Sequence, residues 1–531
     1  MKSRILSAIG FAALATAGAS AQSAIDAYNI TPVQLRGTAR FVGMGGAFTS
    51  LGGDISSMTQ NPAGLGIYRS SDLGLTFSIS PRSYSSKTNF SDWKDSETRA
   101  YFDNFGYVGV QNLSGTLRAI QWGVSYSRVA SFDRLASNYN KPTETSLSNY
   151  IASYTNGVNS DDLLWDDSYN PYANGADWLS ALAYNSFMIS NDGSNDSYAG
   201  LYQNGTNGDA LYNARERGYI DEYNIDIAGN VSDVVYWGLG LGIVDMSYSS
   251  ESNYSESMAN ALVYDRDGDI LTSGNAGFNL YNNRYISGSG VNLKLGVIVR
   301  PEEWLRIGVA FHTPTWLHLN HSGYGEVSYN YTPDVTNKTN SDTKYTPDYS
   351  YASRLTTPWR IMVGASATIA GQAILSLDYE RVGYDNMKMK EQGNFAGTFV
   401  ENTFANTDIK DYYQAANIIR IGAEYRINPS FSIRAGYNWQ GTAVRNAAMN
   451  STTEIYTSGT DPSYTFYGNT NNITVGAGYK YKSWYIDLAY QHSHQTGTFR
   501  AYTPFENYKN TPSAEVSTTL NNIVISTGFR F

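Results

Sequence analysis

The residues with the types and spacing for chemistry are few. Asp265-Arg266-Asp267-Gly268-Asp269 sets carboxylates two apart, as a calcium-binding loop does. Such a loop needs glycine at its sixth position and a bidentate glutamate at its twelfth, and here these are Ile270 and Ala276. The stretch therefore reads as a turn, and no metal is assigned to it. The histidines are His312, His318, His321, His492 and His494. Adjacent strands can gather two of them around an ion, but scattered surface histidines give the same pattern. His492-Ser493-His494 puts a hydroxyl beside imidazoles, yet there is no Gly-x-Ser-x-Gly turn to expose a nucleophile. The sequence supplies no catalytic residue set, no metal site and no cofactor motif, so the reading is that of a protein that is not an enzyme.

The elements around these residues carry more information. Lys2 and Arg4, the apolar run Ile5 to Ala17, and Ala19-Ser20-Ala21 form a secretory leader over 1–21, with Gln22 opening the mature chain. Residue 22 is not cysteine, which argues against a lipid anchor. Beyond it, no run approaches the roughly 20 apolar residues of a membrane helix. Mean hydropathy is −0.38, yet the 531 residues include 44 Tyr, 20 Phe and 10 Trp, a content suited to interfaces. There is no cysteine, and the formal charge of −10 argues against a nucleic-acid partner.

The dominant period is two. Leu73, Leu75, Phe77 and Ile79 share a face, and so do Trp237, Leu239, Leu241 and Ile243, with Gly238, Gly240 and Gly242 opposite. The same alternation recurs at Leu293–Val299, Ile419–Ile427, Phe431–Trp439, Trp484–Tyr490 and Ile523–Phe531. The apolar faces begin or end in aromatic residues, short links alternate with long ones, and the final strand ends on Phe531. Together these predict an all-β fold: a 14-stranded antiparallel transmembrane β-barrel. The predicted strands are 73–84, 104–113, 118–131, 219–230, 234–249, 285–300, 304–313, 354–368, 373–384, 412–427, 430–440, 466–481, 484–494 and 517–531. The barrel thus occupies 72–531, in the outer membrane of a Gram-negative bacterium, among its lipids and placed there by the barrel-assembly machinery. Residues 132–218 form the longest extracellular loop. In it Leu147, Tyr150, Ile151 and Tyr154 have helical spacing behind a Thr143 cap, and Trp178, Leu182 and Phe187 follow.

Ahead of the strands, Gly43-Met44-Gly45-Gly46-Ala47 and Asn61-Pro62-Ala63-Gly64-Leu65 lie within Gly37 to Ser78. This stretch resembles the N-terminal hatch and first strand of the FadL-type family (OMPP1/FadL/TodX), outer-membrane transporters of long-chain fatty acids and other hydrophobic compounds. The resemblance implies a hatch over 22–71 plugging the lumen, with Asn61, Pro62, Ala63 and Gly64 as its gating turn. It also implies passive transport of a hydrophobic small molecule, caught by extracellular loops and released sideways at a kink in the third strand. Gly123 and the stretch Val129, Ala130, Ser131 are the candidates for that exit, and Leu147, Ile151, Tyr154, Trp178, Leu182 and Phe187 for ligand contact. The family's catching helices lie in later loops, whereas here the second outside loop is the largest.

Physical reasoning agrees on the plug. A barrel of this width exceeds what side chains can fill, so a separate segment must occupy it. Arg306, Arg360, Asp378, Glu380, Arg420, Glu424, Arg434 and Asp487 fall opposite the apolar faces, where they can pair with Arg36, Arg40 and Asp54 and hold that segment. The alternative function is a FadL-type barrel whose loops bind a protein, as a docking or secretion carrier. An aqueous porin would need an open charged channel.

Overall fold

The computed structural model describes residues 23–265, 270–393, 395, 397–449, 454–505 and 510–531. The leader at 1–21 and most of the Asp265–Asp269 stretch lie outside the described residues. Among the described residues no helix is long and apolar enough to cross a membrane.

The chain closes into a barrel of fourteen antiparallel positions. The first strand, Asp72–Lys87, pairs with the second, Asp92–Asn112, and also with the last, Ser513–Arg530, from Asp72 opposite Arg530 to Lys87 opposite Glu515. Closure gives every strand a partner on both sides, which a bilayer demands because it offers the backbone no water. Alternation then divides the wall. Leu239, Leu241, Ile243, Leu293, Leu295, Val309 and Leu377 are exposed on the outside, with Trp304, Phe431 and Trp484 at one edge of the band and Trp316, Tyr379 and Tyr490 at the other. An exposed apolar band between aromatic rings is a lipid-facing surface. The tight links at the Trp304 and Trp484 edge include Ser232-Asp233 and Ala370-Gly371, all with positive φ, the geometry of two-residue hairpins.

Several strands run well past the membrane. The fourth is Asn207–Val231, and the fifth and sixth, Val235–Asp265 and Ile270–Glu302, are 31 and 33 residues long. About ten residues cross a bilayer, so most of each rises outside it. The predicted 132–218 loop is shorter than expected for this reason. Arg134–Asn140 and 207–218 pair with each other as sheet, their mixed polar and tyrosine faces having hidden a strand that stands in water on one side. The remainder folds into the helices Leu147–Thr155 and Trp178–Asn185. Ser146, not Thr143, caps the first, accepting from the Ser148 N–H, and Asp177 caps the second. The stretch 324–331 belongs to a strand, Trp316–Pro333.

Three adjacent positions in the wall are broken, where a continuous strand was expected over 354–368 for the eighth. The seventh is Leu305–His312 followed by Trp316–Pro333, the eighth Tyr349–Thr356 followed by Arg360–Ile369, and the ninth Ala373–Val382 followed by Lys388–Gln392. Pro314 and Pro358 occupy two of the breaks. Proline has no N–H to give a ladder.

Candidate functional site

Residues 23–71 run inside the barrel. Short helices Ala24–Asn29 and Ala39–Gly43 and the 3₁₀ turns Ile55–Thr59 and Pro62–Ile67 are almost wholly buried. Asn61 starts the last turn: its Oδ1 accepts from the Ala63 N–H, its Nδ2 donates to the Thr49 carbonyl at 2.6 Å, and Pro62 takes the first helical position, where a missing N–H costs nothing. The wall is carved to receive this turn. A Cβ on Gly238 would stand 2.3 Å from the backbone of Pro62 and Ala63, and one on Gly296 would stand 1.8 Å from Asn61 Oδ1. Gly64 packs equally closely on Ser57 and Gly52. Asn61, Pro62 and Ala63 therefore form one buried contact with the fifth and sixth strands, while Gly64 packs within the inner segment.

Charged side chains hold the segment along its length. Arg40 bonds Glu424 at 3.0 Å, Glu424 also receives Arg434 at 2.6 Å, and Arg434 reaches Asp487 at 2.6 Å. Arg36 pairs with Asp103 at 2.7 Å. Asp378 accepts the Thr49 N–H, Arg306 donates to the Leu51 carbonyl, and Arg360 and Arg420 both bond Glu380. Asp54 stays within the segment, accepting from Thr38 and Ser56. Each charge has a partner, which a buried ion requires. Lys294 of the sixth strand reaches Glu222 at 2.6 Å and Asn224 across the fifth, a crossing that Gly242 leaves open, since a Cβ there would meet both Glu222 and Asn292.

Above the turns, Ile30 to Arg36 bridges the lumen from side to side. Gln34 exchanges hydrogen bonds with Ser131 of the third strand, and Tyr384, in the break of the ninth, donates to the Thr31 carbonyl. The bridge divides the lumen into two chambers. The first, about 170 Å³, is walled by Ile30, Val33, Val129, Ile220, Val244, Met246 and Leu317 over a polar floor of Lys294, His312, Arg360 and Arg420. The second, about 160 Å³, is lined by Arg82, Arg134, Asn472, Gln491, Gln495 and Asn522. The first chamber is the less polar of the two; the second keeps apolar residues such as Val33, Phe132 and Ile418 among its more numerous polar ones.

The predicted exit residues part company. Gly123 stays in regular pairing, and the space of its missing side chain holds Met58 and Leu65. Val129 bulges out of register with the fourth strand and faces the apolar chamber. Ala130 is buried, and Ser131 is engaged by Gln34, Arg36 and Arg82. The predicted contact residues gather in one outside dome. Leu147, Ile151 and Leu182 are fully buried in its core, with Tyr154, Trp178 and Phe187 packed against it and Tyr254, Phe278, Leu280 and Tyr331 of the tall strands beneath. None of the six lines either chamber. Among the described residues no group of three or more side chains is arranged to hold a metal. His312 instead meets the Gln60 carbonyl at 2.8 Å and His321 meets Ser353.

The bridge and the three strand breaks escaped the sequence reading. Pro358 lay inside a predicted strand and was a signal for the break. Nothing in Ile30–Arg36 marks it as a partition.

No model of a known protein family matches the chain, and no curated protein matches it in sequence. Solved structures do share its architecture. The toluene transporter TodX of P. putida is 13% identical over 94% of this chain and 99% of its own, with a TM-score of 0.50. A FadL homologue from Pseudomonas aeruginosa is 12% identical over 94% and 100%, with a TM-score of 0.52. The chain has the fold of the FadL-type channels, and its lipid-facing band makes it an outer-membrane β-barrel.

Proposed function

We propose that this barrel carries hydrophobic small molecules across the outer membrane by passive diffusion, with the apolar chamber beside Ile30–Arg36 as the holding site. The observation that carries this reading is the apolar wall of Ile30, Val33, Val129, Val244, Met246 and Leu317 in the first chamber, which a bridge of the chain itself sets apart from a more polar second one. The names of the similar structures, a toluene transporter and a FadL homologue, support it. A dry cavity of about 150 Å³ takes one benzene ring, so the chamber of about 170 Å³ has room for a single-ring guest. A long-chain fatty acid enters only if the bridge moves. Burial contributes about 0.8 kcal/mol per CH₂, and no catalytic step or cofactor is needed.

In this reading the Asn61-Pro62-Ala63-Gly64 turn gates the periplasmic end, the dome covers the entrance outside, and the guest leaves sideways through the wall. The test is native mass spectrometry of the detergent-extracted protein, alone and after incubation with toluene or oleate. The reading expects one bound toluene, displaced by oleate. A barrel that binds neither, and copurifies instead with a polypeptide on its loops, would replace this reading with that of a protein-docking carrier.

A further inference from the structure

The strands of the wall are interrupted where the apolar chamber touches it. Below the breaks, His312, Arg360 and Val382 are register partners on the seventh, eighth and ninth strands; above them, Trp316 pairs with Thr356 and Thr356 with Lys388. Between these rungs, 313–315, 357–359 and 383–387 leave the strands side by side. The remaining cross-links there are few. The Thr357 N–H donates to the Thr315 carbonyl at 3.0 Å, the Thr315 N–H to Thr357 Oγ1 at 2.8 Å, and the Gly383 N–H to the Trp359 carbonyl at 3.0 Å. Pro314 and Pro358 contribute no donor.

The chamber reaches this seam from within, since Thr313, Thr315, Thr357, Pro358 and Val382 line it. The Trp359 indole, half-buried, lies beside the seam. It covers Gly383 so closely that a Cβ there would stand 2.5 Å from its Nε1. Trp316, exposed at the outer aromatic edge, places the seam at the outer leaflet. The third strand is closed by contrast, because Gln34 and Arg36 both bind Ser131 and Arg36 is ion-paired to Asp103.

We propose that apolar, uncharged guests pass between the chamber and the membrane through the seam of the seventh to ninth strands, with Trp359 as its shutter. This rests on the transport reading above and places the passage on the wall away from the third strand. Opening requires the Thr315–Thr357 rung to part and the indole to swing off Gly383. The polar floor of Lys294, His312 and Arg360 keeps the guest's path above it.

The chain has no cysteine, so paired cysteines report on single rungs. Thr315→Cys with Thr357→Cys locks the seam when oxidised. Tyr126→Cys with Tyr223→Cys, register partners on the third and fourth strands that line neither chamber, locks the other wall. Each barrel is placed in proteoliposomes and assayed with labelled toluene, with disulfide formation confirmed by mass. We expect oxidation of the 315/357 pair to lower toluene flux at least tenfold, with reduction restoring it, and oxidation of the 126/223 pair to leave flux within twofold. Trp359→Ala, which needs no cross-link, is expected to raise flux at least threefold. A locked 315/357 barrel that still conducts, a flux stopped by the 126/223 lock alone, or a Trp359→Ala flux equal to wild type would each overturn the seam. No flux in the reduced wild-type barrel would overturn the transport reading itself, and the seam with it.

Discussion

The Asn61 side chain holds the Thr49 carbonyl at 2.6 Å, joining the turn at the foot of the inner segment to the stretch that lies against the seventh and eighth strands. This bond, the N-cap to Ala63 and the close approach to Gly296 tie the turn at once to the rest of the inner segment and to the wall.

Asn61→Ala combined with Pro62→Ala removes the cap, the tie and the fixed φ. A lost N-cap alone costs about 1 kcal/mol. If the turn gates, hydrophobic uptake falls several-fold at matched barrel levels while the strands still assemble. Uptake of a labelled hydrophobic probe beside leakage of a small sugar in the same cells checks it. Unchanged uptake with raised sugar leakage would make the turn a packing device.

Gly296→Ala tests the same contact from the wall. Its new methyl group would fall 1.8 Å from Asn61 Oδ1, so the turn must shift. Sugar leakage should rise while heat-modifiable migration stays that of a folded barrel. Gly115→Ala, in a turn with open space around it, should change neither readout beyond the strain of its positive φ.

Glu424→Gln should loosen the inner segment more than the barrel. It withdraws a carboxylate shared by Arg40 and Arg434, and breaking a buried pair costs about 3 kcal/mol. Hydrogen exchange read by mass spectrometry should show the loss at 38–54, with the strand amides unchanged.

The dome should respond to pH through Glu256. This carboxyl stands on the tall part of the fifth strand, outside the membrane, and accepts from the Leu147 N–H at 2.9 Å and from the Tyr254 hydroxyl. Its second oxygen meets no donor among the described residues, and burial pushes its pKa up to about 7. A raised pKa means the folded dome favours the protonated acid, so its stability is complete below the unfolded value near 4.5 and falls as pH rises through about 7. Amide protection in Leu147–Thr155 should drop on the order of tenfold or more between pH 5 and pH 8 after correction for intrinsic exchange. Glu256→Gln should flatten that dependence.

Much of this architecture was legible because a lipid-facing strand must alternate. Leu239, Leu241 and Ile243 face lipid, and the fourteen-strand count follows from such runs. The glycines opposite them were visible as a pattern, but their purpose was not. Gly238 admits the Pro62–Ala63 backbone, Gly240 gives way to Asp226, and Gly242 lets Glu222 and Asn292 meet. Such fits depend on partners in other strands or fifty or more residues away, which no local period encodes. The tall strands were cut short in the reading because, outside the bilayer, residues such as Ser250, Ser252 and Asn253 carry no apolar face. The chambers were invisible for a similar reason: Ile30, Val129, Val244 and Leu317 come from four separate stretches, and only the closed barrel brings them together.

The central claim is that the apolar chamber is the path of a hydrophobic guest. Val244→Trp puts an indole into that chamber from the fifth strand, away from the Asn61 turn and from the seam. Flux of labelled toluene through proteoliposomes holding this variant, set against wild type at equal folded barrel, is the direct measurement. The account predicts at least a tenfold fall with no rise in sugar leakage; flux equal to wild type would contradict it.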